Sequence, residues 1–148
     1  MPPAEPSELI DSATALKTDQ SAKKRKVTIT AKKLKSAVLL KKDFKQIEEL
    51  VNDLEACYFD FEETHTEYCE LVSSNEALEQ FKVVNGQTLV EYSDIVQETY
   101  ESAIKSFRTH KDDRDTSVRN IKRLARTCDD VKSMIYEPSA NYANILLH

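Results

Sequence analysis

Apolar positions recur every three or four residues over most of the chain, which is the period of a helix with one buried face. The strongest run is Phe44, Ile47, Val51, Leu54, Tyr58, Phe61, His65, Tyr68 and Val72, a heptad seam with these residues at a and d. Leu40 and Ala37 extend it backwards, with Leu34 and Val38 on a neighbouring stripe. Neither Gly nor Pro interrupts the stretch from Val27 to Asn85, so the pattern predicts one long helix from about Thr30 to Val72.

Beyond it, Ser73 and Glu76 have the spacing of a capping box, as do Thr88 and Glu91. Residues 77–84 predict a short helix with Leu78 and Phe81 inward, and Asn85-Gly86 a break or a kink. A second long helix starts at Thr88, carries Leu89, Tyr92, Val96, Ala103 and Phe107 on one face and ends near His110. Lys111 to Asp115 reads as a polar hinge. A third, basic helix follows, with Val118, Ile121, Ala125 and Cys128 on one face, and Pro138 stops it. Residues 1–27, with three early prolines and few apolar side chains, predict a disordered arm ending in Lys23, Lys24, Arg25 and Lys26. The predicted organisation is therefore arm 1–27, helical domain 28–137 and tail 138–148. The fold class is all-α, a long antiparallel hairpin resembling a coiled coil with a third basic helix.

Composition narrows the chemistry. The 148 residues contain one Gly, which leaves no Gly-rich phosphate loop and no nucleophile elbow. The three cysteines, Cys57, Cys69 and Cys128, are odd in number and lack a CxxC spacing, which suits a reducing compartment, cytosol or nucleus. No stretch has the roughly 20 apolar residues of a membrane span.

Charge is segregated beneath a net value of −5: residues 22–45 hold ten bases against one acid, and residues 46–101 hold fifteen acids against Lys82 alone. Two acidic helices facing each other repel, so the basic third helix or the basic start of a second copy is the expected relief.

Candidate motifs are sparse. Lys23, Lys24, Arg25 and Lys26 on a flexible arm resemble a monopartite nuclear import signal, read by an acidic receptor groove. With residues 23–45 and the third helix they also give an alternative reading, contact with nucleic-acid phosphates. His65 and Cys69 stand one helical turn apart, with Glu62 a turn earlier, as in half of a metal site or a nucleophilic pair. No further ligand spacing follows, and a polar residue within a seam more often fixes register. Glu62-Glu63 and Asp112-Asp113 read as solvated surface. The sequence thus assigns no catalytic residue, metal or cofactor. It predicts a non-enzymatic interaction module whose seam, Phe44, Ile47, Val51, Leu54, Tyr58, Phe61, Tyr68 and Val72, meets the chain itself or another helical protein.

From Val27 to about Asp113 the chain resembles the N-terminal helical region of Bel/Pao-type retrotransposon polyproteins. The likeness lies in the basic entry Lys26-Val27-Thr28-Ile29-Thr30, the long heptad helix, a Leu/Val-rich turn and the spacing of Tyr92, Tyr100 and Phe107. It departs at Glu137-Pro138-Ser139, where such polyproteins continue into a Leu-Pro-Lys-containing stretch. The resemblance implies an element-derived scaffold segment with no catalytic residue to carry over, and a chain that is part of a longer product.

Overall fold

The computed structural model describes residues 5–136, with side chains through Val131. It is all-α apart from one tiny hairpin: α1 is Pro6–Leu39, α2 Phe44–Ser74 and α3 Leu89–Tyr136. Between α2 and α3 lie a 3-10 segment, Glu76–Lys82, and two strands, β1 (Val83–Val84) and β2 (Gln87–Thr88). The chain divides into two units, one through Arg108 and one from Thr109 onward.

The first unit is a three-helix bundle. α1 and α2 form the antiparallel hairpin, shown by lateral contacts that pair Thr30 with Cys57, Lys23 with Thr64 and Gln20 with His65. The first turns of α3 run antiparallel to α2, since Phe61 meets Tyr92, Tyr58 meets Tyr100 and Phe44 meets Phe107. Ala13, Ala31 and Ala37 are buried on α1 among the larger Val27 and Leu34. Short side chains at these points let α1 approach α2 closely. Rings line the α2–α3 boundary instead, and Tyr58 and Tyr100 stack with centroids 4.2 Å apart.

The seam prediction is met on α2: Ile47, Val51, Leu54, Phe61, Tyr68 and Val72 are buried, while Phe44 and Tyr58 are half-buried at its edge. Its cover comes from the same chain. The basic strand of sequence preceding Leu40 folds back along acidic α2, which resolves the charge problem within the chain.

Four boundaries differ from the sequence reading. Residues 6–27 are helical, not a disordered arm, so no boundary falls at residue 27. Pro6 stands in the first turn, where its missing N–H is harmless. Leu9, Ala13, Leu16, Gln20, Val27, Ala31, Leu34 and Val38 form a seam of their own, disguised because alanines and a glutamine occupy it. Burial against α2 outweighs the ordering entropy that the few large apolar residues alone do not offset.

The single helix expected over 30–72 is two helices. Lys41 adopts φ +51, and the N–H groups of Lys41 and Lys42 donate to the carbonyls of Val38 and Ala37 at 3.1 and 3.0 Å. This is a Schellman termination with lysine in the left-handed position usually held by glycine.

The predicted short helix is a 3-10 segment followed by a hairpin turn. Asn85 and Gly86 take φ +51 and +76, and Val84 pairs with Gln87. Two successive positive φ values define the two-residue turn that Asn-Gly favours. Leu78, Phe81 and Val84 turn inward, and the Tyr68 hydroxyl donates to the Phe81 carbonyl at 2.6 Å. Of the two capping boxes, only the second forms its bond: Thr88 Oγ1 accepts from the Glu91 N–H at 3.2 Å. Ser73 lies inside α2, and Asn75 precedes the 3-10 segment without a side-chain cap.

Finally, Lys111 to Asp115 is no hinge: α3 passes through it as helix. The tail residues Tyr142, Ile145, Leu146 and Leu147, and the stop at Pro138, lie outside the described residues.

The strained cap gives a direct test. Lys41→Gly removes a left-handed penalty of about 1 kcal/mol, partly offset by greater freedom in the unfolded chain. The variant is expected to gain about 0.5 kcal/mol in urea unfolding; a loss of stability would contradict the termination described.

Candidate functional site

The sequence singled out three groups of polar residues, and the bundle brings two of them together. On α1, Lys23 donates to Thr64 Oγ1 at 2.6 Å and forms ion pairs with Asp60 at 3.1 Å and Asp19 at 3.2 Å. Burial lowers the pKa of the Lys23 ammonium, but the bonds to Asp60 and Asp19 outweigh it and hold the pKa above its ordinary value. Lys24 Nζ sits 4.6 Å from the ring centre of Tyr92, a cation–π contact. Arg25 and Lys26 are exposed. The four bases of the import-like run are therefore one helical turn of α1, with two of them engaged inside the bundle. The flexible arm on which that motif was read is absent here.

One turn earlier on α1, Gln20 is fully buried and its Oε1 lies 2.9 Å from His65 Nδ1. Cys69 Sγ is 3.4 Å from His65 Nε2. A neutral imidazole with its proton on Nδ1 satisfies both contacts, donating to Gln20 and accepting from the thiol. The environment favours that neutral form. Burial pushes the His65 pKa below its ordinary value and the Cys69 thiol pKa above its own. A nucleophilic pair needs the opposite, a thiolate beside an imidazolium. The rings of Phe61 and Tyr92 pack on the imidazole, with centroids 5.5 and 6.0 Å away. Among the described residues no three His, Cys, Asp or Glu side chains converge as a metal-binding group. What this cluster can do is fix register: a shift of α1 along α2 by one turn parts Gln20 from His65 and Lys23 from Asp60 and Thr64. Thr64, buried at the seam, and Gln20 were missed by a reading that looked for apolar residues at those positions.

Tyrosine hydroxyls are similarly held. Burial raises the Tyr68 pKa to about 12, with the neighbouring Cys69 and Tyr92 adding to it. Burial, then the bond to Glu62, raises that of Tyr58. Glu62, Glu63, Asp112 and Asp113 are exposed, as expected.

The seam residues predicted as an interaction surface are enclosed by their own chain, so a partner reaches Ile47, Leu54, Phe61, Tyr68 or Val72 only by opening the bundle. A different apolar stripe is open. In the second unit Val118, Ile121, Leu124 and Val131 are 40, 65, 64 and 47% exposed, and Cys128 beside them is exposed too. Other exposed apolar side chains, such as Ile29, Phe59 and Val90, are scattered across the bundle. The sequence reading placed Val118 and Ile121 on a face of the third helix but supposed that face packed.

No helix of the described residues is long and apolar enough to cross a membrane. Compared with family profiles, curated proteins and solved structures, the chain matches none.

The His65 environment sets a pH dependence. Its folded pKa lies below the unfolded value of about 6.5, so the unfolded chain takes up a proton first as pH falls. Stability from this site is complete above about pH 6.5 and declines below it, until the folded pKa is passed. Urea midpoints measured between pH 7.5 and 5 are expected to fall, and His65→Gln is expected to flatten that fall. An unchanged slope in the variant would refute the assignment.

Proposed function

We propose that this chain is a non-enzymatic helical interaction module, with the first unit as a closed scaffold and the α3 stripe from Val118 to Val131 as the contact face. One observation carries the reading: large apolar side chains at three- and four-residue spacing stand open on one helix while the rest of the repeat is buried. Contiguous exposed apolar surface marks a site of association far more often than single exposed residues do. The polar clusters support the same reading, since a neutral thiol, a neutral imidazole and engaged lysines hold the bundle in register and leave no activated nucleophile there. An element-derived scaffold, as the polyprotein resemblance implies, accords with it.

The test is a photo-crosslinking residue at Leu124 in the full chain, in cells that express it. Discrete covalent adducts are expected, falling at least tenfold when Ile121→Asp is added. Circular dichroism and the urea midpoint should stay within about 0.5 kcal/mol of the parent, as for a surface change. A probe at Leu124 that gives no adduct above one placed at Glu63 would reject the reading.

A second reading, contact with nucleic acid, draws on one feature. Arg25, Lys26, Lys32 and Lys33 are exposed on α1 around Ile29, which is itself open. Such a patch neutralises phosphates without base readout. It predicts RNA or DNA retardation in a low-salt gel that weakens steeply with salt and disappears in the variant with all four changed to Glu. Absence of any retardation at 50 mM salt would remove it.

A further inference from the structure

The open stripe has a distribution of charge that selects its occupant. In heptad register Arg114, Ile121 and Cys128 take a, and Ser117, Leu124 and Val131 take d. The flanking positions within this span are Val118 and Ala125 on one side, Asn120 and Thr127 on the other, all neutral. Arg119, Lys122, Arg123 and Arg126 lie at b, c and f, away from the stripe, and so do Asp129 and Asp130. In a coiled coil the flanking charges choose the partner. Here an acidic or basic partner helix finds no charge to pair with, whereas a helix with equally neutral flanks meets no repulsion.

Resting on the reading that this stripe is the contact face, we propose that its occupant is the same stripe of a second copy, laid antiparallel. Orientation follows from Arg114. A parallel, in-register pair sets two guanidinium groups in one core layer. An antiparallel pair matches a against d, so that Ile121 meets Leu124, Cys128 meets Ser117, and Arg114 meets Val131 beside the turn that carries Asp129 and Asp130. The matched stretch from Arg114 to Val131 is about 26 Å long at 1.5 Å per residue. Two such stripes bury on the order of 1,000 Å², near the lower bound for a specific interface. The pairing is accordingly weak, with a dissociation constant on the order of tens of micromolar.

Sedimentation equilibrium of the full chain, reduced, from about 5 to 500 μM tests this. The mass is expected to rise from the monomer's 16.9 kDa towards twice that value, and the Ile121→Asp, Leu124→Asp double variant to stay monomeric with an unchanged urea midpoint. A second measurement does not depend on that variant folding. In the antiparallel pair the two Cys128 thiols stand about 16 Å apart along the axis, while each faces residue 117 of the other copy. Ser117→Cys with oxidised glutathione, which takes up the two electrons, should therefore give a covalent dimer mapped to the introduced thiol and Cys128, at least tenfold faster than the parent chain dimerises through Cys128 alone.

A monomeric mass at 500 μM overturns the proposal, and equally fast crosslinking of the parent overturns its antiparallel form. If the monomer result accompanies adducts from Leu124 to other proteins, the contact face stands and only self-pairing fails. If the monomer instead protects residues 117–128 from hydrogen exchange, the stripe is covered by its own chain and both readings fail.

Discussion

Burial of the α2 seam by α1 is the interaction on which the bundle rests. Ile47, Leu54, Phe61, Tyr68 and Val72 occupy one face of a helix whose other faces are acidic, and such a helix is not stable alone. Its cover must be apolar along one stripe and cationic beside it. Residues 6–39 supply both, with Leu34, Val27 and the three buried alanines on the stripe and Lys23 reaching Asp60 from its edge. Once α1 is in place, α3 is held by a layer of rings from Phe44 to Tyr100. The turn at Lys41 is the local concession. The hairpin closes at the cost of a left-handed lysine, a penalty of about 1 kcal/mol against a much larger gain in buried area.

A seam of aliphatic and small residues alone permits more than one register, because alanine and valine pack almost as well one turn away. The polar layer removes that freedom. Gln20 has a partner for its oxygen only where His65 stands, and Lys23 has its two carboxylates and Thr64 only in the same alignment. The amide nitrogen of Gln20 is buried without a hydrogen bond among the described residues, a cost on the order of 1–3 kcal/mol. The cluster is therefore costly as stabilisation and informative as alignment. This is the usual balance for a polar group in a helical seam, and it explains why an imidazole and a thiol one turn apart need no chemistry of their own.

The class of fold was legible because α2 and the start of α3 carry large side chains at an unbroken period. What escaped was what the period cannot encode. A chain reversal through a non-glycine residue left no mark at Lys41, since a heptad pattern continues across a turn if both helices bury the same phase. α1 was hidden by composition: alanine and glutamine at core positions look like the residues of a flexible arm, although the spacing from Leu9 through Gln20 to Val38 is as regular as that of α2. Asn85-Gly86 was visible as a turn pair, yet the strands it joins are two residues long. Of the candidate sites, the import-like lysines and the His65–Cys69 pair were correctly located as features, but their partners, Asp60, Thr64 and Gln20, lie about 40 residues away in sequence, where only the fold brings them close.

The same comparison explains why the contact face was placed on the wrong helix. A seam read from sequence carries no record of who covers it, and the strongest seam is the one most fully satisfied within its own chain. The weaker stripe, Val118 to Val131, has fewer and smaller apolar residues and a dense set of bases behind it, which reads as a surface helix. Those bases keep an isolated helix soluble with its apolar side open, while arginine, lysine, leucine and alanine favour the helical state on propensity alone. A stripe too short to hold the chain together unaided, but regular enough to align with another helix, suits reversible association better than permanent packing. In this protein the long seam builds the scaffold, and the short one is left for a partner.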